Sequence, residues 1–367
     1  MSDIQPGQRP DPSSDEAGLW MYMERMEKKL STSGRIVTDP ELSAYIRNII
    51  CKLSPEYCND IRFYVVDTPH FNATMAPNGF MQIWTGLLLR CQNEAQLAYV
   101  LGHEIAHYLR RHSVQQWRNV RNTSDVLAFF QLATAAAGVG YAGDIAQLVA
   151  LGAIFKFSRD QEREADDIGF EMMLQGGYHP KEAAKIWEAI IAERDAADDP
   201  EQFIFFSTHP TTEERVKTLN EDADTLVAQG KAGHIQQKEY LAAIGPYRAG
   251  WLKDELQKQD FKASQVVLDR LIETGYNLAE IHFFQGEMCR LRGEKGDAGR
   301  AVAEYQRALR EDNPPPETYR SLGIVHWQIG QKEDARTYFE QYLKMNPEAS
   351  DSEIIKSYLE ALKKEKI

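Results

Sequence analysis

The chain is short of positive charge: 42 lysines and arginines stand against 55 aspartates and glutamates, a net charge of −13. A nucleic-acid binder needs a basic patch to replace counterions along the phosphates, and adhesion to an anionic bilayer needs one too. No nucleic-acid partner is expected. Cysteine is also scarce. The four cysteines include no C-x-x-C pair, which excludes the usual cysteine-built zinc sites. Cys51 and Cys58 are near enough to bridge in an oxidising compartment, and would serve equally as small apolar residues if reduced. Long apolar runs are missing except for residues 126–142, which Gln131 interrupts and Asp144 stops. That run of about 17 residues is at the short limit for spanning a bilayer. Its role stays open between close packing in a core and a membrane-touching or mobile lid. A basic-then-apolar leader is missing as well, which leaves either a cytoplasmic protein or one whose export signal has been removed. Residues 1–17, rich in Pro, Ser, Asp and Gln, are expected to be disordered.

What is present centres on Gly102-His103-Glu104-Ile105-Ala106-His107, an H-E-x-x-H motif. On a helix, residues four apart lie one above the other, so His103 and His107 look out from one face and can share one zinc ion. Glu104 sits beside the open position, where it could take a proton from the attacking water. The helix is well signalled. Asn93 can cap its start with Gln96 at the capping-box position, and Leu97, Leu101, Ile105 and Leu109 form an apolar stripe. Arg110, Arg111 and His112 put positive charge at its end.

Such a site needs a third ligand. Ser158 can cap a second helix with Gln161 at the box position, and Glu162 and Asp166, four apart, share a face. Two histidines and one glutamate form a catalytic zinc set that leaves a position for water. His103, His107 and Glu162 are therefore the expected ligands of one Zn2+ per chain. Asp166 would accept a hydrogen bond from the far nitrogen of His103 and hold its tautomer. Glu164 and Asp167 read as solvated charges of a helix start. His112 is a poor rival ligand, because the longer H-E-x-x-H-x-x-G-x-x-H pattern needs Gly and His where Arg110 and Ser113 stand.

HEIAH followed by SRDQEREAD resembles the HtpX and CAAX-prenyl-protease type of gluzincin zinc metallopeptidase, whose signature is HExxH…ExxxD. The soluble, repeat-bearing members of the β-barrel-assembly-enhancing type are the most similar. Phe71-Asn72-Ala73, Gly79 and Thr85-Gly86-Leu87-Leu88 resemble that family's strand and turn before the zinc helix. Ser207-Thr208-His209-Pro210 through Glu214-Arg215 resembles its S-x-H-P…R segment. Asn78-Gly79 replaces the usual Gly-Gly, and the lack of strong transmembrane helices sets the integral-membrane members aside. The resemblance implies a metalloendopeptidase acting on unfolded, misassembled or stalled proteins in bacterial envelope quality control. It implies a periplasmic location, with the cytoplasm as the alternative. It also implies a cleft lined by a sheet edge, a proton-donor role for Asp166 and a cleft-facing His209. His209 would either stabilise the oxyanion or plug the zinc, the latter making the protein a self-inhibited, chaperone-like adaptor. Arg215 would steer the substrate carbonyl or pair with a carboxylate.

The rest of the chain supplies the framework. Residues 61–66, 72–75 and 80–84 read as strands, with Pro77-Asn78-Gly79 turning the chain and 72–75 as the candidate edge. Tyr319, Leu322, Gly323, Gly330, Ala335, Phe339 and Pro347 match the large and small positions of a tetratricopeptide repeat. Gly286, Gly293, Ala301, Tyr305 and Ala308 fit the same template with a short insertion, 261–272 is a weaker copy, and 354–362 a closing helix. The expected fold is α+β: a small-sheet metallopeptidase domain over 18–230, then an all-α repeat solenoid over 231–367. Such repeats bind protein rather than catalyse. The expected partner is a protein docked there, with outer-membrane assembly machinery as the family's candidate.

Overall fold

Helices begin most readily where a side chain can satisfy otherwise free backbone amides, and in the computed structural model, which describes residues 2–120, 156–198, 204–210 and 213–364, the helices that carry the first unit's core begin this way. The apolar run 126–142 lies outside the described residues. Among the described residues no helix is long and apolar enough to cross a membrane. Helix α1 (Asp15–Ser31) starts on Ser14, and α2 (Pro40–Leu53) starts on Asp39 with proline in its first turn. Three strands follow: β1 (Arg62–Val66), β2 (Ala73–Met75) and β3 (Phe80–Trp84). Their order is β1-β3-β2, with β1 parallel to β3 and β2 antiparallel to it. All five residues of β3 are buried, as a central strand requires, and β2 forms the expected edge.

After the short α3 (Thr85–Arg90), helix α4 (Glu94–Leu109) is buried on nearly every side, and the stripe residues Leu97, Leu101 and Ile105 are fully inaccessible. Its cap is half of the expected box. Asn93 accepts from the Gln96 amide, but the Gln96 side chain reaches back one residue further, to the amide of Gln92 at 2.8 Å. Helices α5 (His112–Val120), α6 (Arg159–Gln175), α7 (Glu182–Ala196), α8 (Ile204–Thr208) and α9 (Glu213–Ala228) follow, with α6 packed along α4. At α6 the capping box of Ser158 and Gln161 is complete in both directions.

Helices α4 and α6 meet backbone to backbone. A methyl group on Gly102 would lie 3.0 Å from the Gly169 carbonyl oxygen, and one on Gly169 would lie 2.7 Å from the His103 amide nitrogen. A mid-helix glycine costs about 1 kcal/mol in helix propensity. Here that loss accompanies an approach that no side chain would permit.

Residues 2–17, expected to be disordered, are mostly exposed but anchored at a few points. Ile4 is buried and its amide bonds the Leu109 carbonyl at 3.1 Å, while Asp3 pairs with Arg110 at 2.8 Å. Composition misleads there because one apolar residue, a free helix-end carbonyl and an arginine are sufficient anchors. Cys51 and Cys58 are joined in a disulfide.

The chain divides into two units, residues Met1–Asp195 with Asp199–Trp251, and Ala196–Asp198 with Leu252–Ile367. The division falls inside α10 (Gln237–Gln257) rather than after Gly230. Residues just beyond Gly230 are bonded into the first unit: Ile235 accepts from the Ala95 amide, and the buried Tyr240 hydroxyl donates to the Leu88 carbonyl. Among the described residues the second unit holds helices and no strand: α11 (Phe261–Glu273), α12 (Leu278–Arg292), α13 (Asp297–Ala308), α14 (Glu317–Gln328), α15 (Lys332–Met345) and α16 (Ser352–Lys364). Gly286 faces the Tyr305 ring and Gly323 faces the Phe339 ring, each leaving no room for a methyl group. That pairing of small and large positions is what locks the two helices of a repeat together.

The start of α4 is held by Glu94, whose carboxylate accepts from the hydroxyls of Tyr45 and Tyr178, both at 2.6 Å, and from Lys52 at 3.1 Å. Burial pushes its pKa up, but these donors outweigh it and hold the carboxyl below its ordinary value. A depressed carboxyl contributes stability above the unfolded pKa and loses it as pH falls through the folded one. Glu94→Ala should therefore cost about 1–3 kcal/mol near neutral pH. The gap to wild type in urea unfolding should shrink as the pH is taken below the ordinary carboxylate range.

Candidate metal centre

The spacing of the two histidines on α4 brings their Nε2 atoms 3.1 Å apart, with both rings buried. From α6, the Glu162 carboxylate enters the same space: Oε2 lies 3.6 Å from His103 Nε2 and Oε1 lies 3.6 Å from His107 Nε2. His209, one residue past α8, places Nδ1 at 3.1 Å from Glu162 Oε1 and 3.5 Å from His103 Nε2. Donor atoms of all four residues lie within 4.8 Å of one another, and all four are buried. Zinc bonds of about 2.0–2.1 Å in a tetrahedron imply donor–donor edges of about 3.3 Å. Five of the edges, at 3.1–3.6 Å, bracket that figure, so these residues fit a zinc ion with small side-chain adjustments.

Each ligand candidate is held from behind. His103 Nδ1 lies 3.0 Å from Asp166 Oδ1, within ion-pair distance but outside hydrogen-bond geometry. Asp166 is itself gripped by Arg215, at 2.5 Å from Nε and 2.7 Å from an amino nitrogen, and by the Tyr99 hydroxyl at 2.8 Å. Arg215 also reaches Glu162 at 2.5 Å. Of the two roles open to Arg215, the carboxylate pairing is the one realised. Burial pushes the Asp166 carboxyl up, but the Arg215 guanidinium and His103 reverse this and hold it far below its ordinary value. Arg215 is correspondingly raised by the two carboxylates against the effect of its own burial. His107 is driven firmly neutral, first by burial and then by the neighbouring imidazoles. Neutral is the form a metal requires.

Glu104 lies on the other side of the cluster. Its Oε1 is buried without a hydrogen-bond partner and stands 3.5 Å from His209 Nε2. Burial raises its pKa above the ordinary glutamate value. Aromatic rings close the chamber: Phe157 stacks on His107 at 3.8 Å between centroids and Phe205 on His209 at 4.7 Å.

Three features escaped sequence reasoning. Gly169, seven residues after Glu162 and so on the same helical face, is legible only as an unexplained mid-helix glycine. Phe157 immediately precedes the cap of α6, where no pattern marks it. Glu164 was expected to be solvated, but it accepts from His112 Nε2 at 2.9 Å and pairs with Arg110, because the chain after α4 folds back over the start of α6.

Comparison with known proteins gives two profile matches. The profile described as peptidase family M48 matches residues 37–223, just over half of the chain, and a tetratricopeptide-repeat profile matches 290–350 and 320–364. The mitochondrial metalloendopeptidase OMA1 of Schizosaccharomyces pombe is 34% identical over 161 residues, 43% of this chain and 45% of that protein. The β-barrel assembly-enhancing protease of Escherichia coli K12 is 25% identical over 238 residues, 61% of this chain and 47% of that protein. A putative protease of that name from Vibrio cholerae is 26% identical over 240 residues, 63% and 49% respectively. The chain thus spans about half the length of the curated relatives it matches.

Removing Arg215 would leave two buried carboxylates facing each other uncompensated. Arg215→Ala should destabilise the metal-free protein by about 3–5 kcal/mol. Arg215→Lys should recover only part of this, since a single ammonium cannot bind both carboxylates in the same geometry. Urea unfolding of the three proteins in chelator would show it, and equal midpoints would remove Arg215 from this role.

Proposed function

Because the chain belongs to peptidase family M48, we propose that it is a zinc-dependent metalloendopeptidase that hydrolyses peptide bonds of unfolded, misassembled or stalled proteins. The observation that carries this reading is the convergence of His103, His107 and Glu162 on one buried point beside a partnerless Glu104 oxygen. A zinc ion held there acts as a Lewis acid on the peptide carbonyl and on water. The remaining work falls to the protein. Glu104 removes a proton from water at Oε1 as the water oxygen bonds the carbonyl carbon, then delivers it to the amine nitrogen as the C–N bond breaks. Its raised pKa brings it nearer the working pH, where one group can both take and return a proton. Asp166 holds His103 in the tautomer whose Nε2 lone pair faces the ligand point, and Arg215 keeps Asp166 ionised. Strand β2 is an edge, and it packs against α4, the helix that carries Glu104. An extended substrate added to that edge would pass the base directly.

The helical repeats supply the docking surface for substrate or for a protein partner, and the outer-membrane assembly machinery is the candidate partner. The names of the bacterial relatives favour a place in envelope quality control. The Cys51–Cys58 disulfide supports an oxidising compartment, which a periplasmic location would provide.

A second reading is favoured by one observation. His209 Nδ1 stands at the fourth corner of the donor set, where a working peptidase admits water. In that reading the protein is a self-inhibited, chaperone-like adaptor until the segment bearing His209 withdraws.

Two variants separate these readings. With reduced, unfolded casein as the probe, the peptidase reading expects cleavage that a chelator stops. Glu104→Gln should lower it by about 100-fold or more while zinc content is unchanged. Retained cleavage in that variant would take the base role away from Glu104. His209→Ala should raise cleavage several-fold if His209 is a plug and lower it if His209 stabilises the oxyanion.

A further inference from the structure

His112 was set aside as a ligand, yet it is buried, and its Nδ1 lies 2.9 Å from Nδ1 of His107. On a continuous helix the residue five positions on would be turned about 140° away from His107. The chain avoids this by breaking at Arg111, which takes the left-handed conformation with φ 56°. Helix α5 then starts at His112 and brings its ring back against His107, while its Nε2 meets Glu164 Oε2 at 2.9 Å.

Two ring nitrogens at hydrogen-bonding distance cannot both donate or both accept. If Nε2 of His107 offers its lone pair to a metal, the neutral ring carries its proton on Nδ1, and His112 Nδ1 is the acceptor. The His112 proton then sits on Nε2, which donates to the Glu164 carboxylate. Every contact is satisfied. The opposite assignment fails twice. It puts the His107 proton on Nε2, aimed into the donor set, and turns a bare His112 nitrogen towards a carboxylate.

We infer that His112 is a positioning residue for His107, carrying the preference of Glu164 across the intervening ring to select the metal-binding tautomer. This inference rests on the reading of His107 as a metal ligand. The two histidines of the motif are then oriented by different devices. His103 is backed directly by Asp166, and His107 by a histidine backed in turn by Glu164, with Arg110 steadying Glu164 from the other side.

The test is zinc affinity of the purified full chain, measured by competition with a chromophoric chelator, alongside thermal melting of each metal-free protein. His112→Phe keeps the ring volume but offers no acceptor, and should weaken zinc binding about 10–100-fold, as loss of a ligand's supporting bond does. His112→Asn places Oδ1 near the former Nδ1 and should recover most of that loss. His112→Gln, whose polar end reaches the Nε2 position instead, should recover less. Asn binding no better than Phe, or Phe binding like wild type, would overturn the inference while leaving the metal site intact. A wild-type chain that takes up no zinc would overturn the metal-site reading and this inference with it. If the Phe variant does not fold, the order of Asn over Gln decides.

Discussion

The crossing of α4 and α6 at Gly102 and Gly169 is the constraint on which the rest of the first unit depends. A carboxylate side chain has a short reach. Glu162 can meet two imidazoles on another helix only if the two backbones are nearly touching. Backbone contact also leaves no solvent between the helices, so every polar atom near the crossing must find a protein partner. Packing therefore creates the demand that the hydrogen-bond network answers.

The network answers it by alternating charge. Glu162 and Asp166 are both buried, both on α6, and both bound to Arg215 from α9. One guanidinium in fork geometry compensates two carboxylates, an arrangement a lysine could not reproduce. Compensation also has a chemical consequence. Asp166 stays a carboxylate and so remains an acceptor for His103, whereas Glu104, with no cation bonded to it, drifts upward in pKa. Two carboxylates in one buried chamber are thus pushed in opposite directions, the pattern that assigns one to orientation and the other to proton transfer.

Strand β2 joins the sheet to this chemistry. It is three residues long, paired within the sheet on one side only, and packed against α4. Short edge strands of this kind resist casual pairing with other chains, while remaining open to a substrate that the chamber can hold in register. The repeat unit shows the same economy at another scale. Gly286 and Gly323 sit under aromatic rings of the following helix, so each repeat is held by one small residue facing one large one.

Local patterns in the chain were enough for a good share of this. Ser158 with Gln161, the spacing of His103 and His107, the pairing of Glu162 with Asp166, the three strands and the recurring small and large positions of the repeats all depend on residues within a few turns of one another. Periodicity and capping chemistry make such features readable. What only the tertiary structure decided involves partners far apart in sequence. The packing of Ile4 against the end of α4, the choice of both acidic partners by Arg215, the contact of His112 with Glu164 and the entry of His209 at the fourth corner are of this kind. The S-x-H-P…R segment marks His209 and Arg215 by resemblance, but which atoms meet depends on where separate elements stop and how closely two backbones approach. That distance is set by packing, not by the residues that use it.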